Sequence, residues 1–215
     1  MKLFYLEHLK LRKKTRSWLG PILVFSLIMI AYPLTVEFLQ ANLENGFYSL
    51  LWISILLSMM LATEDIFLED FNDGSLEQMV ILNSSLPFLI AKKIFIYWFM
   101  IGIPISFLSF LFSLGITQNS NLSLSIFPLS LISSYIFLNL FIFGNALSLN
   151  KGSVLGAIIT MPLALPVLII LGKSVIAIEF GINYLEFLLL LLGTLSIIIT
   201  TVPFIISYVI KAHLE

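Results

Sequence analysis

The sequence has no cysteine and two histidines, and only 11% of its 215 residues are charged. Without Cys there is no disulfide, no thiolate metal site, no cysteine nucleophile and no covalent c-type haem attachment. His8 and His213 stand at opposite ends of the chain, and neither reads as a haem or metal ligand. A soluble domain carries roughly 25% charged residues, so this chain cannot cover a water-facing surface with the charge it has. A formal net charge of -1 gives no bulk basic surface for nucleic acid. Disorder is excluded as well, because 60% of the residues are hydrophobic. What is left is a chain whose solvent is lipid.

A membrane helix needs about 20 mostly apolar residues to cross a hydrocarbon core about 30 Å thick. Runs free of Asp, Glu, Lys and Arg occur at 17–36, 45–63, 94–150, 152–172 and 187–210. The third is too long for one helix, and Gly115-Ile-Thr-Gln-Asn-Ser-Asn-Leu-Ser divides it with a polar connection. The expectation is an all-α integral membrane protein, a single permease domain over 1–215 with six transmembrane helices. They fall near 19–36, 47–63, 94–114, 124–149, 154–176 and 186–209.

Six crossings place both termini on one side. Every Lys and Arg except Lys173 falls on that side, in the N-terminal segment, beside Lys92 and Lys93, at Lys151 and at Lys211. The excess of cations makes it the cytoplasmic or matrix side. Residues 1–18 mix Lys10, Arg12, Lys13 and Lys14 with Leu3, Phe4, Leu6 and Leu9, which suits an interfacial helix on anionic lipid. The first apolar run exceeds a usual signal-peptide core and lacks a small-residue cleavage site, so it is expected to be retained.

Acidic residues are concentrated in one place. Glu64, Asp65, Glu69, Asp70, Asp73 and Glu77 lie in the loop 64–93 between the second and third helices. Asp73-Gly74 reads as a turn, and Ser75-Leu76-Glu77-Gln78 as an S-x-x-Q capping box that starts a short helix. Glu77 in its first turn suits the positive end of the helix dipole. Leu76, Met79 and Val80 group on one side of it. Two readings stand: a solvated loop with a surface helix, or a docking element for a partner that covers the apolar side. No nucleotide site competes with the second reading. Gly172-Lys173-Ser174 imitates the end of a P-loop, but Val167 occupies the position of its first Gly and no strand precedes it.

Within the spans, Gly102, Pro104, Pro162, Pro166 and Pro203 stand out. Each Pro removes a backbone donor, and Pro162 with Pro166 predicts an irregular middle to the fifth helix. Gly152-x-x-x-Gly156 predicts close helix packing. No Asp, Glu or Arg lies deep in any span, which disfavours proton-coupled or ion-coupled transport.

The stretch from Leu61 through Glu64, Asp70 and Asp73-Gly74-Ser75-Leu76-Glu77-Gln78 resembles the signature loop of the haem exporter protein B family, also called cytochrome c maturation protein B. Leu86-Pro87-Phe-Leu-Ile-Ala-Lys92, Lys151-Gly152-Ser-Val-Leu and Pro162-Leu-Ala-Leu-Pro166 are also similar to that family. The resemblance implies an ABC-2-like permease architecture and a membrane component that is no enzyme itself. It implies as partners a cytoplasmic ABC ATPase, a haem-handling membrane subunit with a Trp-rich motif, a small single-span subunit and a second copy of this chain. ATP would sit on the partner, and haem would be handled by the complex, which releases a haem-loaded chaperone. The location implied is a bacterial or mitochondrial inner membrane. Because the sequence offers no evident haem ligand, force transmission is the expected role, with Glu64, Asp70, Asp73, Gly74, Ser75, Leu76, Glu77 and Gln78 as the ATPase-coupling residues. The rivals are an ABC-2-type exporter permease for another cargo and, in a different class, a membrane enzyme or stand-alone carrier.

Overall fold

The computed structural model describes residues 15–38, 46–64, 66–81, 85–149 and 153–214, and all regular structure among them is helical. The order is α1 (Thr15–Phe38), α2 (Phe47–Thr63), α3 (Leu68–Asn72), α4 (Ser75–Ile81), α5 (Leu86–Tyr97), a π-turn (Trp98–Gly102), α6 (Ile103–Thr117), α7 (Ser120–Leu147), α8 (Ser153–Glu179) and α9 (Leu185–Leu214). Five helical stretches among the described residues are long and apolar enough to cross a membrane, with Leu86–Thr117 counting as one. α2, an apolar helix of 17 residues, falls just short on length. Residues 1–14 of the expected interfacial segment, and Asp65, Lys151 and Gly152, lie outside the described residues.

The bundle is built around α7, which packs against α2, α6, α8 and α9. Its most apolar window is 72% buried, against 22% for α1 and α9 and 33% for α8. The reason lies in its composition. Ser123, Ser130, Ser133, Ser134 and Asn139 are all buried on α7. Small hydroxylated residues let helices approach closely, and the hydroxyls find partners nearby. Ser130 donates to the Phe127 carbonyl at 2.8 Å and Ser133 to the Ser130 carbonyl at 3.2 Å. At the loop end, Ser113 of α6 lies 3.3 Å from the Tyr48 hydroxyl of α2 and 3.1 Å from the Ser123 hydroxyl of α7. The outer helices show the reverse pattern. Leu155, Ile158, Leu163 and Ile169 of α8 and Leu189, Ile197 and Phe204 of α9 are exposed, as residues facing lipid tails are.

Gly144 of α7 and Gly156 of α8 bring the two helices together backbone to backbone. A β-carbon on either would overlap the other's backbone carbonyl, so any larger residue forces the helices apart. The close packing expected of Gly152-x-x-x-Gly156 is present at Gly156, whose partner on the neighbouring helix is Gly144; Gly152 lies outside the described residues.

One expectation about proline is corrected. α8 continues unbroken from Ser153 to Glu179, and Pro162 and Pro166 lie on its exposed face. The irregularity is in the third span instead. Pro104 has no N–H for the Met100 carbonyl, and its ring crowds that carbonyl. The helix widens before it into the π-turn, where the Ile103 N–H reaches the Trp98 carbonyl. The third span also begins eight residues earlier than the expected 94, at Leu86, with Pro87 in its first turn. Pro is favoured there because the first N–H groups have no helical acceptor. The connection expected over 64–93 therefore ends at 85, and Lys92 and Lys93 are helical.

Candidate functional site

α3 and α4 form a helical hairpin between α2 and α5. The turn at Asp73-Gly74 is as expected: Gly74 has φ +73°, a conformation that costs any residue with a β-carbon. The cap differs from the expected box. The Asp73 carboxylate oxygen accepts the Ser75 N–H at 2.9 Å, so Asp73 caps α4. The Ser75 hydroxyl turns back and donates to the Asp70 carbonyl at 3.2 Å, which ties the start of α4 to α3. Gln78 is exposed, and its backbone N–H bonds the Gly74 carbonyl as an ordinary first turn does.

The expected coupling residues divide into three groups, of which Gly74 and Ser75 at the turn are half-buried. Glu64, Asp73, Glu77 and Gln78 are exposed. Asp70 and Leu76 are buried, at 2% and 3% exposure. Leu76, with Met79 and Val80 half-buried beside it, packs on the protein's own core. Leu76 is thus already covered, and an open groove lined by Leu76, Met79, Phe67, Leu86, Ile90 and Ile96 runs beside it between α4 and α5. What α4 presents outward is Glu77, Gln78 and Ile81, and Ile81 is 79% exposed.

Asp70 makes a buried ion pair with Lys93 of α5. The Lys93 ammonium also lies 5.6 Å from the centre of the Phe67 ring, within cation–π range. Lys92, one residue earlier, stays outside this arrangement and sits 4.1 Å from the Phe88 ring. The sequence reading treated Asp70 as one of several surface carboxylates and Lys93 as an orienting loop cation. Their pairing spans 23 positions, and no local pattern announces it. At the root of the hairpin, Asn145 of α7 donates to the Thr63 carbonyl at 2.7 Å and so satisfies an end carbonyl of α2. Beside it lies a cleft lined by Met60, Thr63, Glu64, Phe141 and Ala157. Among the described residues no group of His, Cys, Asp and Glu could hold a metal ion.

A model of the CcmB protein family matches residues 1–213. The chain belongs to the CcmB family. Among its relatives, Heme exporter protein B of Pseudomonas aeruginosa is 30% identical over 195 residues, 89% of this chain and 87% of the relative. Heme exporter protein B of Haemophilus influenzae is 28% identical over 205 residues, covering 94% and 93%. That of Paracoccus denitrificans is 25% identical over 218 residues, the whole of both chains. The CcmB assignment and the long apolar helices together make the chain a multi-pass membrane protein. In this CcmB chain the hairpin is therefore a polar structure attached to one end of a lipid-embedded bundle.

Proposed function

We propose that the chain is the membrane subunit of an ATP-driven ABC complex serving haem export and cytochrome c maturation in a bacterial inner membrane. It crosses the bilayer six times, α2 included, with both termini and the α3–α4 hairpin in the cytoplasm. A 17-residue helix rises about 25 Å, close to the hydrocarbon thickness, and modest local thinning accommodates it. The names of the relatives support the haem connection. The lysine distribution supports the orientation.

The observation that carries the mechanism is the two-sided hairpin. Its inner side is fixed to the bundle by Leu76 and the Asp70–Lys93 pair. Its outer side offers Asp73, Glu77, Gln78 and Ile81 around a capped helix end. An exposed isoleucine flanked by carboxylates suits a partner with a small apolar pocket and a basic rim. That partner is an ATPase subunit, which hydrolyses ATP and moves the hairpin; a second copy of this chain faces a second ATPase. The complex handles the haem and its chaperone, and this subunit transmits force.

The test is affinity purification of the full chain from cells that make c-type cytochromes, with identification of the co-purified ATPase. Glu77→Arg combined with Ile81→Asp is expected to reduce the recovered ATPase at least tenfold. Unchanged recovery would remove the docking face. Because the chain has no Cys, a single Asp73→Cys reports sidedness without background. Labelling of that residue from the periplasmic side alone would invert the topology.

A further inference from the structure

We infer that Asp70 and Lys93 form the joint through which motion of the hairpin enters the third span, Asp70 acting through Lys93 and not by touching a partner. The inference deepens the proposed function and rests on its docking reading.

Asp70 holds the hairpin at two points. Its carboxylate grips Lys93, and its carbonyl accepts the hydroxyl of Ser75, the first residue of α4. A displacement of α4 is thus carried to Asp70 directly. The apolar contacts of Leu76 resist compression, but they are non-directional and tolerate sliding. The ion pair does not slide, because separating its members would leave charge buried without compensation. Asp70 at 2% exposure and Lys93 at 9% are both withdrawn from any docking face.

The path continues along α5. Five residues after Lys93 the helix reaches Trp98, the first residue of the π-turn. The Trp98 indole N–H is shared between the Leu131 carbonyl at 3.3 Å and the Ser134 hydroxyl at 3.2 Å, both on α7. Its ring meets Tyr135 edge-on at 5.3 Å. Gly102 leaves the space that the indole fills, since a β-carbon there would overlap the ring. A π-turn is an irregular, adjustable element inside a helix. The segment Leu86–Tyr97 therefore acts as a lever, held by Lys93 near its middle and hinged where Trp98 engages the central helix.

The test uses the whole complex, purified through the membrane chain and reconstituted in lipid nanodiscs. Asp70→Asn with Lys93→Met removes both charges of the pair together. We expect co-purified ATPase and the thermal midpoint to stay near wild type, and ATP hydrolysis to continue within about twofold. Haem in c-type cytochromes of the same cells should fall at least tenfold. The charge swap Asp70→Lys with Lys93→Asp should restore at least a third of it. Trp98→Phe, at the far end of the path, should uncouple in the same way, and it decides the matter if the double variant fails to fold. Loss of ATPase recovery in the double variant, unrestored by the swap, would make Asp70 a direct contact and overturn the joint. Full haem delivery by either the double variant or Trp98→Phe would overturn it too. Failure of the docking reading looks different: the wild-type chain itself would recover no ATPase, and the joint would fall with it.

Discussion

The hairpin end and the middle of the bundle bury polar groups in different ways. In the middle, hydroxyls turn inward on their own helix: Ser106 donates to the Gly102 carbonyl and Ser109 to the Ile105 carbonyl, each at 2.8 Å. Each of those hydroxyls is satisfied locally, and helices meet through smallness, as Gly144 and Gly156 do. At the hairpin end, the decisive contacts run between elements distant in sequence: Asp70 to Lys93, and Asn145 to the Thr63 carbonyl. The difference follows from the solvent. Lipid offers no alternative partner, so a polar side chain inside it is safest bonded to a backbone that is always present. At the hairpin root the buried contacts instead join separate elements, and a charge pair that leaves no uncompensated charge holds them together.

The largest expected effect tests the hairpin side of the comparison. Asp70→Ala alone leaves Lys93 buried beside Phe67 without its carboxylate. Breaking a buried pair on one side costs about 3–5 kcal/mol. A drop of about 3 kcal/mol in stability, measured by thermal unfolding in detergent, is expected because Lys93 is near the bundle edge and gains some water. Asp70→Asn with Lys93→Met should recover most of that loss. If the single variant costs nothing, the pair is solvated and the two regions do not differ.

Next comes the bundle. Gly144→Ala sets a methyl against the Gly156 carbonyl, and a backbone cannot swing aside as a side chain can. Overpacking of this kind costs about 1–3 kcal/mol, and the separation of α7 from α8 would widen. Gly156→Ala should do the same, and the two together should cost less than their sum, because one displacement serves both. Additive losses would show that the glycines do not share a contact.

Much of this was visible in the sequence, and what was missed has a common cause. All six apolar segments were legible, because hydrophobic run length is a local property. The turn at Asp73-Gly74 and the start of α4 at Ser75 were legible for the same reason. The start of the third span was not. Lys92 and Lys93 read as loop residues, yet the helix runs through them from Leu86, since Lys is a good helix former and Pro87 suits the first turn. The Gly152-x-x-x-Gly156 spacing marked Gly156 as a close-packing position, but which residue of which helix it meets, Gly144, is not readable from spacing. The serine-rich composition of α7 could have marked it as the buried hub, since a lipid-facing helix has no use for so many small hydroxyls. Pairings across sequence are what local reading omits, and at this site they make the difference between a surface carboxylate and an anchored one.

A smaller effect separates long-range from local hydrogen bonds. Asn145→Ala removes the donor to the Thr63 carbonyl and unties α7 from the end of α2. Side-chain hydrogen bonds between membrane helices are worth about 0.6 kcal/mol on average and up to about 1.7. A loss of about 1 kcal/mol is expected by the same unfolding measurement, together with faster labelling of a Cys placed at Glu64. A stability loss without any change in labelling would mean that Asn145 supports the bundle and not the hairpin root.

The smallest effect is the most discriminating for the bundle. Ser109 is fully buried on α6, yet its hydroxyl donates only to the Ile105 carbonyl within its own helix. That carbonyl is already the acceptor for the helical N–H four residues on, so Ser109→Ala orphans nothing. Hydroxyls bonded back in this way tend to bend a helix slightly, and Ala is the better helix former by a few tenths of a kcal/mol. Stability should change by less than about 0.5 kcal/mol in either direction. The measurement pairs Ser109→Ala with Asn145→Ala in one detergent. If the fully buried serine costs as much as the asparagine, depth of burial governs the penalty. If it costs nothing while the asparagine costs about 1 kcal/mol, what matters is whether the bond joins two elements, and the division between a self-satisfied bundle and a cross-linked hairpin root is physical.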